Sequence, residues 1–195
     1  MTPKPGLVLA STSPYRRALL QRLGLEFSVA DPAVAEERRA DEAPHAMAKR
    51  LAEAKARAVA DRFPGSLVIG SDQVAVCDGE ILDKPGTHAN AVRQLRLLSG
   101  REAVFHTAVC VHGARGGRTG TRLVPCRVTF RELDDAAIAR YLAREQPYDC
   151  AGSAKSEGLG ISLIARVESE DPTALVGLPL IALVELLHEQ GVDVP

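Results

Sequence analysis

Four kinds of side chain in this 195-residue sequence could carry out chemistry together. Ser11-Thr12-Ser13-Pro14-Tyr15-Arg16-Arg17 runs from the end of an apolar strand into the first turn of a helix. Ser13 is a good N-cap, and Pro14 sits where a missing N–H costs nothing. Arg16 and Arg17 then place cations where the helix N-terminus already carries partial positive charge. An anion resolves that conflict, so the stretch describes a phosphate or carboxylate seat, although it also fits a plain capped helix with solvated arginines. Asp72 follows Leu67-Val68-Ile69-Gly70 directly, and a carboxylate at the end of a buried strand must be paired, hydrogen-bonded or metal-bound. Such a residue can also simply cap a turn. Lys55, at the edge of a helical apolar stripe, and Lys84, in the stiff turn Asp83-Lys84-Pro85-Gly86, offer ammonium groups, whereas most such lysines only meet solvent. Glu36 and Glu37 precede Arg38-Arg39 in a charged loop.

Neutralised phosphates, a metal clamp and a group that positions water are what phosphoryl transfer requires. GxxxxGK[ST] and GxGxxG are both missing, which argues against P-loop and Rossmann dinucleotide sites. A further segment, Ser153-Ala154-Lys155-Ser156-Glu157-Gly158-Leu159-Gly160, lets backbone approach a ligand closely, with Glu157 available as an acceptor. The five histidines have no metal-ligand spacing.

The elements that must position these groups follow from periodicity. Strands are predicted at Leu7–Ala10, Leu25–Val29, Leu67–Gly70, Ala103–Val111 and Arg122–Phe130. Helices are predicted from Pro14 to Leu23, Pro44 to Asp61, His88 to Leu98, Asp134 to Arg144 and Pro179 to Gln190. The second helix has a stripe of Met47, Leu51, Ala54 and Ala58. Asp78-Gly79 marks a hairpin turn, and Gly113, Gly116, Gly117 and Gly120 a glycine-rich loop. Hairpin signals interrupting strand–helix alternation predict a mixed α/β sheet with helices against it, not an all-parallel one.

Length and an apolar content of 46% allow one domain spanning 1–195, with two lobes as an option. A formal net charge of -1 gives no bulk attraction to nucleic acid or to an anionic membrane. Cys77, Cys110, Cys126 and Cys150 show no metal or redox spacing and read as reduced, mostly buried thiols. With no signal-peptide pattern after Met1-Thr2-Pro3-Lys4-Pro5-Gly6 and no run long enough to cross a bilayer, a cytoplasmic protein is expected.

Ser11-Thr12-Ser13-Pro14-Tyr15-Arg16-Arg17, Gly70-Ser71-Asp72-Gln73-Val74, Asp83-Lys84-Pro85, Leu98-Ser99-Gly100 and Gly152-Ser153-Ala154-Lys155-Ser156-Glu157-Gly158 resemble, in order, the motifs of the Maf-like proteins. That resemblance extends from about Leu7 to about Leu187. It implies a nucleoside triphosphate pyrophosphatase that cleaves between the α- and β-phosphates with a divalent metal of the Mg²⁺ or Mn²⁺ type. It also implies a strongly twisted mixed sheet, two lobes around a deep cleft, and a homodimer. The family's catalytic carboxylate falls on Asp72, its phosphate-binding groups on Ser11, Arg16, Lys55 and Lys84, and its metal-side carboxylates on Asp72 and Glu36. Arg17 ranks below Arg16. Where the family often reads Val-Asp-Glu, this chain has Val34-Ala35-Glu36.

Three positions that track substrate choice fall on Tyr15, Gln73 and Glu157, which is similar to the branch acting on 7-methylguanosine triphosphate. A 7-methylated guanine is cationic and can stack on Tyr15, and Glu157 can accept two hydrogen bonds from its N1–H and N2–H₂ edge. The alternatives are a pyrophosphatase for dTTP, UTP or another non-standard nucleotide, and a nucleotide-binding regulator of cell division.

Overall fold

The computed structural model describes residues 6–113 and 118–194. Met1–Pro5 of the amino-terminal segment and Gly116 and Gly117 of the glycine-rich loop lie outside the described residues. Among the described residues seven strands form one mixed sheet: β1 (Leu7–Ala10), β2 (Ser28–Ala30), β3 (Leu67–Cys77), β4 (Glu80–Leu82), β5 (Glu102–His112), β6 (Thr119–Phe130) and β7 (Ile164–Glu168). Their order is β2-β1-β3-β5-β6-β7, with β4 paired to β3. Five α-helices among the same residues accompany them: α1 (Pro14–Gln21), α2 (Pro44–Ala60), α3 (His88–Leu98), α4 (Asp135–Glu145) and α5 (Leu180–Glu189). β1 is parallel to both β2 and β3, whereas β4 on β3 and β7 on β6 are antiparallel. The mixed α/β expectation is borne out.

By contacts the chain divides into two compact units. The first comprises residues up to Gln73, Thr107–Val124 and those from Asp171 on; the second comprises Val74–His106 and Pro125–Glu170. The core of the first unit joins Leu7 and Leu9 of β1, Leu19 and Leu20 of α1, Leu67 and Ile69 of β3, Val109 and Val111 of β5, and Leu183, Leu186 and Leu187 of α5. In the second unit Leu82, Leu95, Leu98, Phe105, Ile138, Leu142 and Leu163 are buried.

Three sequence expectations need correction. β3 does not stop at Gly70 but continues to Cys77, so Asp72 lies inside a strand rather than beyond its end. The predicted stripe of α2 is out of phase: Ala58 is exposed, and the buried face is Met47, Ala48, Leu51, Ala52, Lys55, Ala56 and Val59. Lys55 is therefore in the middle of that face, not at its margin. The second strand is Ser28–Ala30 rather than Leu25–Val29. Conversely, α3 begins and ends where predicted, and Asp78 and Gly79 both have positive φ, as a tight hairpin turn from β3 to β4 demands.

Candidate active site

The site grows from the carboxyl ends of two parallel strands. β1 and β3 are paired from Leu7 with Leu67 to Ala10 with Gly70, and there β1 ends. Beyond that last pair the chains diverge: Ser11-Thr12-Ser13 leads into α1, while β3 carries on through Ser71, Asp72 and Gln73. Carboxyl ends of parallel strands are where α/β proteins tend to bind ligands. Ser13 caps α1 by accepting from the Arg16 N–H at 3.4 Å, and the Ser11 hydroxyl accepts from the Ser13 N–H at 3.1 Å. The first turn of α1 holds no acidic residue. Its positive pole is therefore not neutralised from within its own turn.

Gly70 brings α2 onto this edge. A Cβ there would lie 2.1 Å from the Ala52 carbonyl oxygen and 2.7 Å from the Ala56 nitrogen, so only glycine admits the helix backbone so close. One helical position before Ala56, Lys55 reaches over the strand. Its ammonium is 2.5 Å from Asp72 Oδ1 and 2.5 Å from Glu36 Oε1. The Lys55 and Asp72 side chains are only 6% and 7% exposed, whereas Glu36 is 55% exposed. The pair is thus a buried ion pair with an open third corner. Burial pushes the Asp72 carboxyl above the ordinary aspartate range, and Lys55 and Arg16 pull against that rise. Burial likewise lowers the Arg16 guanidinium, while Asp72 and Glu36 oppose the change.

Two positioning devices escaped the sequence reading. Arg50, one turn and a half before Lys55 on α2, grips Glu42 through two hydrogen bonds of 2.6 Å, and its second guanidinium nitrogen donates to the Glu37 carbonyl at 3.1 Å. This clamp pins the loop that carries Glu36, and it holds the Glu42 carboxyl below its usual range.

The other device is the segment Asp171–Gly177. Asp171 is buried and accepts from the Thr173 N–H and hydroxyl and, through its other oxygen, from the Ile181 N–H at 2.7 Å. Asp171 thereby caps α5 from outside the helix. Thus fixed, the segment offers its carbonyls to the site: Gly177 O accepts from Arg16 Nε at 2.8 Å and from the Ser71 hydroxyl at 2.9 Å. Gln73 Nε2 donates to Ala174 O, Leu175 O and the Thr107 hydroxyl. Asp171-Pro172-Thr173 has the composition of a side-chain-capped turn, which is the one signal the sequence held for it.

Ser11, Tyr15, Arg16, Glu36, Lys55, Asp72 and Gln73 all belong to the first unit, and Lys84 and Glu157 to the second. Tyr15 is half-buried on the first turn of α1, and Arg17 is exposed. Lys84 and Glu157 are exposed, and Glu157 accepts from the Ser156 hydroxyl at 3.3 Å. The thiols of Cys77, Cys110 and Cys126 are free and buried, and burial pushes Cys110 and Cys126 up to about 11, which leaves them inert. Among the described residues no helix is long and apolar enough to cross a membrane.

The Maf-like protein profile matches residues 6–190. The chain belongs to the Maf-like family. It is 57% identical over 190 residues to a 7-methyl-GTP pyrophosphatase of Methylobacillus flagellatus, covering 97% of this chain and 99% of that one. It is 56% identical to a 7-methyl-GTP pyrophosphatase of Cupriavidus pinatubonensis, with 97% and 96% covered. With one of Paraburkholderia xenovorans, also a 7-methyl-GTP pyrophosphatase, it shares 58% identity over 96% of this chain and 93% of the relative.

Proposed function

We propose that this Maf-like protein is a nucleoside triphosphate pyrophosphatase acting on 7-methyl-GTP. In this reaction water adds to the α-phosphorus and the bond from that phosphorus to the α,β-bridging oxygen breaks, which leaves 7-methyl-GMP and pyrophosphate. The observation that carries the chemistry is the buried Lys55–Asp72 pair, open on its Glu36 side and lying beside Arg16. The naming of relatives 56% to 58% identical across nearly their whole length carries the substrate.

Asp72 is the group able to take a proton from the attacking water. Its carboxyl is raised by burial, which strengthens it as a base, while Lys55 and Arg16 keep its ionised form accessible. Arg16 cannot lose its charge under any working condition, so it is a fixed counter-charge for the triphosphate and for departing pyrophosphate. Its Nε is committed to Gly177 O, which leaves the terminal nitrogens to face anions. The Ser11 hydroxyl supplies a neutral donor for a phosphate oxygen. Lys84 is assigned a further phosphate contact, Tyr15 the stacking face for the cationic base, and Glu157 its N1–H and N2–H₂ edge. Gln73 has its amide nitrogen tied to Thr107 and to the Ala174–Leu175 turn, so it acts on substrate choice by holding that turn.

A divalent cation fits this donor set. Asp72 and Glu36 are hard oxygen ligands that already converge on one positive centre, the Lys55 ammonium. Asp72 and Glu36 would hold the ion from the protein side, and substrate phosphates and water would complete its shell, as suits Mg²⁺ or Mn²⁺. When bound, such an ion would add charge neutralisation at the phosphates and acidify water.

The decisive experiment is a pyrophosphate-release assay with added Mg²⁺ or Mn²⁺ across 7-methyl-GTP, GTP, dTTP, UTP and other modified triphosphates. Release from 7-methyl-GTP in clear excess over GTP is the expected result. Absence of release from every nucleotide would remove the enzymatic reading, and preference for dTTP or UTP would reassign the substrate.

A further inference from the structure

We propose that Lys55 is a built-in stand-in for the divalent cation, held between Asp72 and Glu36 until a triphosphate draws it away. This proposal rests on the pyrophosphatase reading and adds to it an order of events. The geometry is specific: one ammonium contacts both carboxylates at 2.5 Å, in a place where Lys55 and Asp72 are nearly dry. A carboxylate as buried as Asp72 demands compensation, and here it receives it from within the chain.

Charge decides the consequence. Asp72 and Glu36 contribute two negative charges, and Lys55 and Arg16, which interacts with both carboxylates, contribute two positive ones. These four charges cancel, and Arg50, which also feels Asp72, is balanced by its own partner Glu42. A dication entering the cluster meets a like charge in its own place, and repulsion at such short range in a poorly solvated site is large. The cation can settle only if the ammonium leaves. Arg16 cannot yield, because Gly177 O holds its Nε. Lys55 can, since its charge sits on a flexible four-carbon stem. A triphosphate carries more negative charge than the two carboxylates together and offers the ammonium a new partner. Lys55 thus trades carboxylate oxygens for phosphate oxygens, and nucleotide and metal each favour binding of the other. Without nucleotide the site stays closed to metal.

The test is calorimetric titration with Mn²⁺ alone, in nucleotide-free protein. Wild type and Lys55→Arg should bind it weakly. Lys55→Met, which keeps the stem and removes the charge, should bind at least about ten-fold more tightly, and Lys55→Met combined with Glu36→Gln should lose that gain. Equal or weaker binding by Lys55→Met overturns the proposal. A second measurement needs no neutral variant: the side-chain Nζ resonance of Lys55 in wild type, assigned by its absence in Lys55→Arg. It should stay in place with Mg²⁺ alone and move when Mg²⁺ is added with an α,β-methylene triphosphate analogue; movement with Mg²⁺ alone, or no movement with the two together, overturns the proposal. Pyrophosphate release by the same wild-type preparation separates the two claims. Loss of release strikes the function, and a failed Mn²⁺ or Nζ result strikes only the role of Lys55.

Discussion

Arg16 Nε donates to the carbonyl oxygen of Gly177 at 2.8 Å across 161 residues of sequence, so the aim of a side chain on α1 is set by a backbone atom just before α5. The same carbonyl takes the Ser71 hydroxyl, next to Asp72. Replacing Arg16 by Lys keeps the charge but gives up the fork in which one nitrogen anchors and two recognise. Arg16→Lys should raise KM for the nucleotide about ten-fold with a smaller fall in kcat. Steady-state kinetics check this, and an unchanged KM would contradict the phosphate role.

Asp72→Asn keeps shape and removes both the proposed base and half of the ion pair. Turnover should drop by about two to four orders of magnitude while circular dichroism stays native. Turnover near wild type would exclude Asp72 as the base.

The pH dependence of Asp72 has a definite sign. Burial makes the folded protein hold this proton more tightly than the unfolded chain does. Its contribution to stability is then complete below the unfolded value and is lost as pH rises through the raised folded value. Catalysis runs the other way, because the base must be ionised. The acid limb of kcat/KM should therefore fall above the ordinary aspartate range, and it should vanish from the residual activity of Asp72→Asn. An acid limb within or below that range would show that another group governs the rate.

Much of this could be read along the chain, and what could not has identifiable causes. The start of α1 was legible because its cap, Ser13, signals a helix start locally, and Thr87 caps α3 in the same way. Asp72 was legible as a costly carboxylate, but the strand around it was not, since Ser71 and Gln73 lack the apolar character of a buried strand. α2 was read out of phase because alanines at 46, 48, 52, 54, 56 and 58 put small apolar residues on every face, so Lys55 looked peripheral when it is buried. β7 went unseen because Ala165 to Glu168 are all exposed, which hides the alternation of a half-buried strand. The Gly177 contacts with Arg16 and Ser71 link residues distant in sequence, and no local pattern encodes them, whereas Asp171 left only the local signal of its turn with Thr173.

The Glu42–Arg50 clamp should act on Glu36 at a distance. Glu42→Gln removes the charge from a two-pronged contact and frees the loop that Arg50 also holds through Glu37 O. Since Arg50 keeps the Glu42 carboxyl ionised below its usual range, this contact persists through neutral pH and is lost only in acid. With saturating nucleotide, the variant should need several-fold more Mg²⁺ for half-maximal rate, with little change in melting temperature. An unchanged Mg²⁺ requirement would detach Glu36 from the metal side of the reaction.

Gly70 gives the most direct test of how the fold builds the site. Its missing Cβ lets the Ala52 carbonyl and the Ala56 nitrogen of α2 rest against β3, and backbone atoms cannot swing aside as a side-chain tip would. Gly70→Ala must push α2 outward, at a cost of about 1–3 kcal/mol of overpacking. The displacement falls beside Lys55, whose 2.5 Å contact with Asp72 depends on the helix lying this close. Denaturant unfolding should show the stability loss, and kcat should fall further than the fraction of folded protein explains. Ala52→Gly cannot relieve this, because the clash is with the backbone oxygen rather than with the Ala52 methyl group. Rescue by Ala52→Gly, or full activity in Gly70→Ala, would mean that α2 is not held against β3 by this contact.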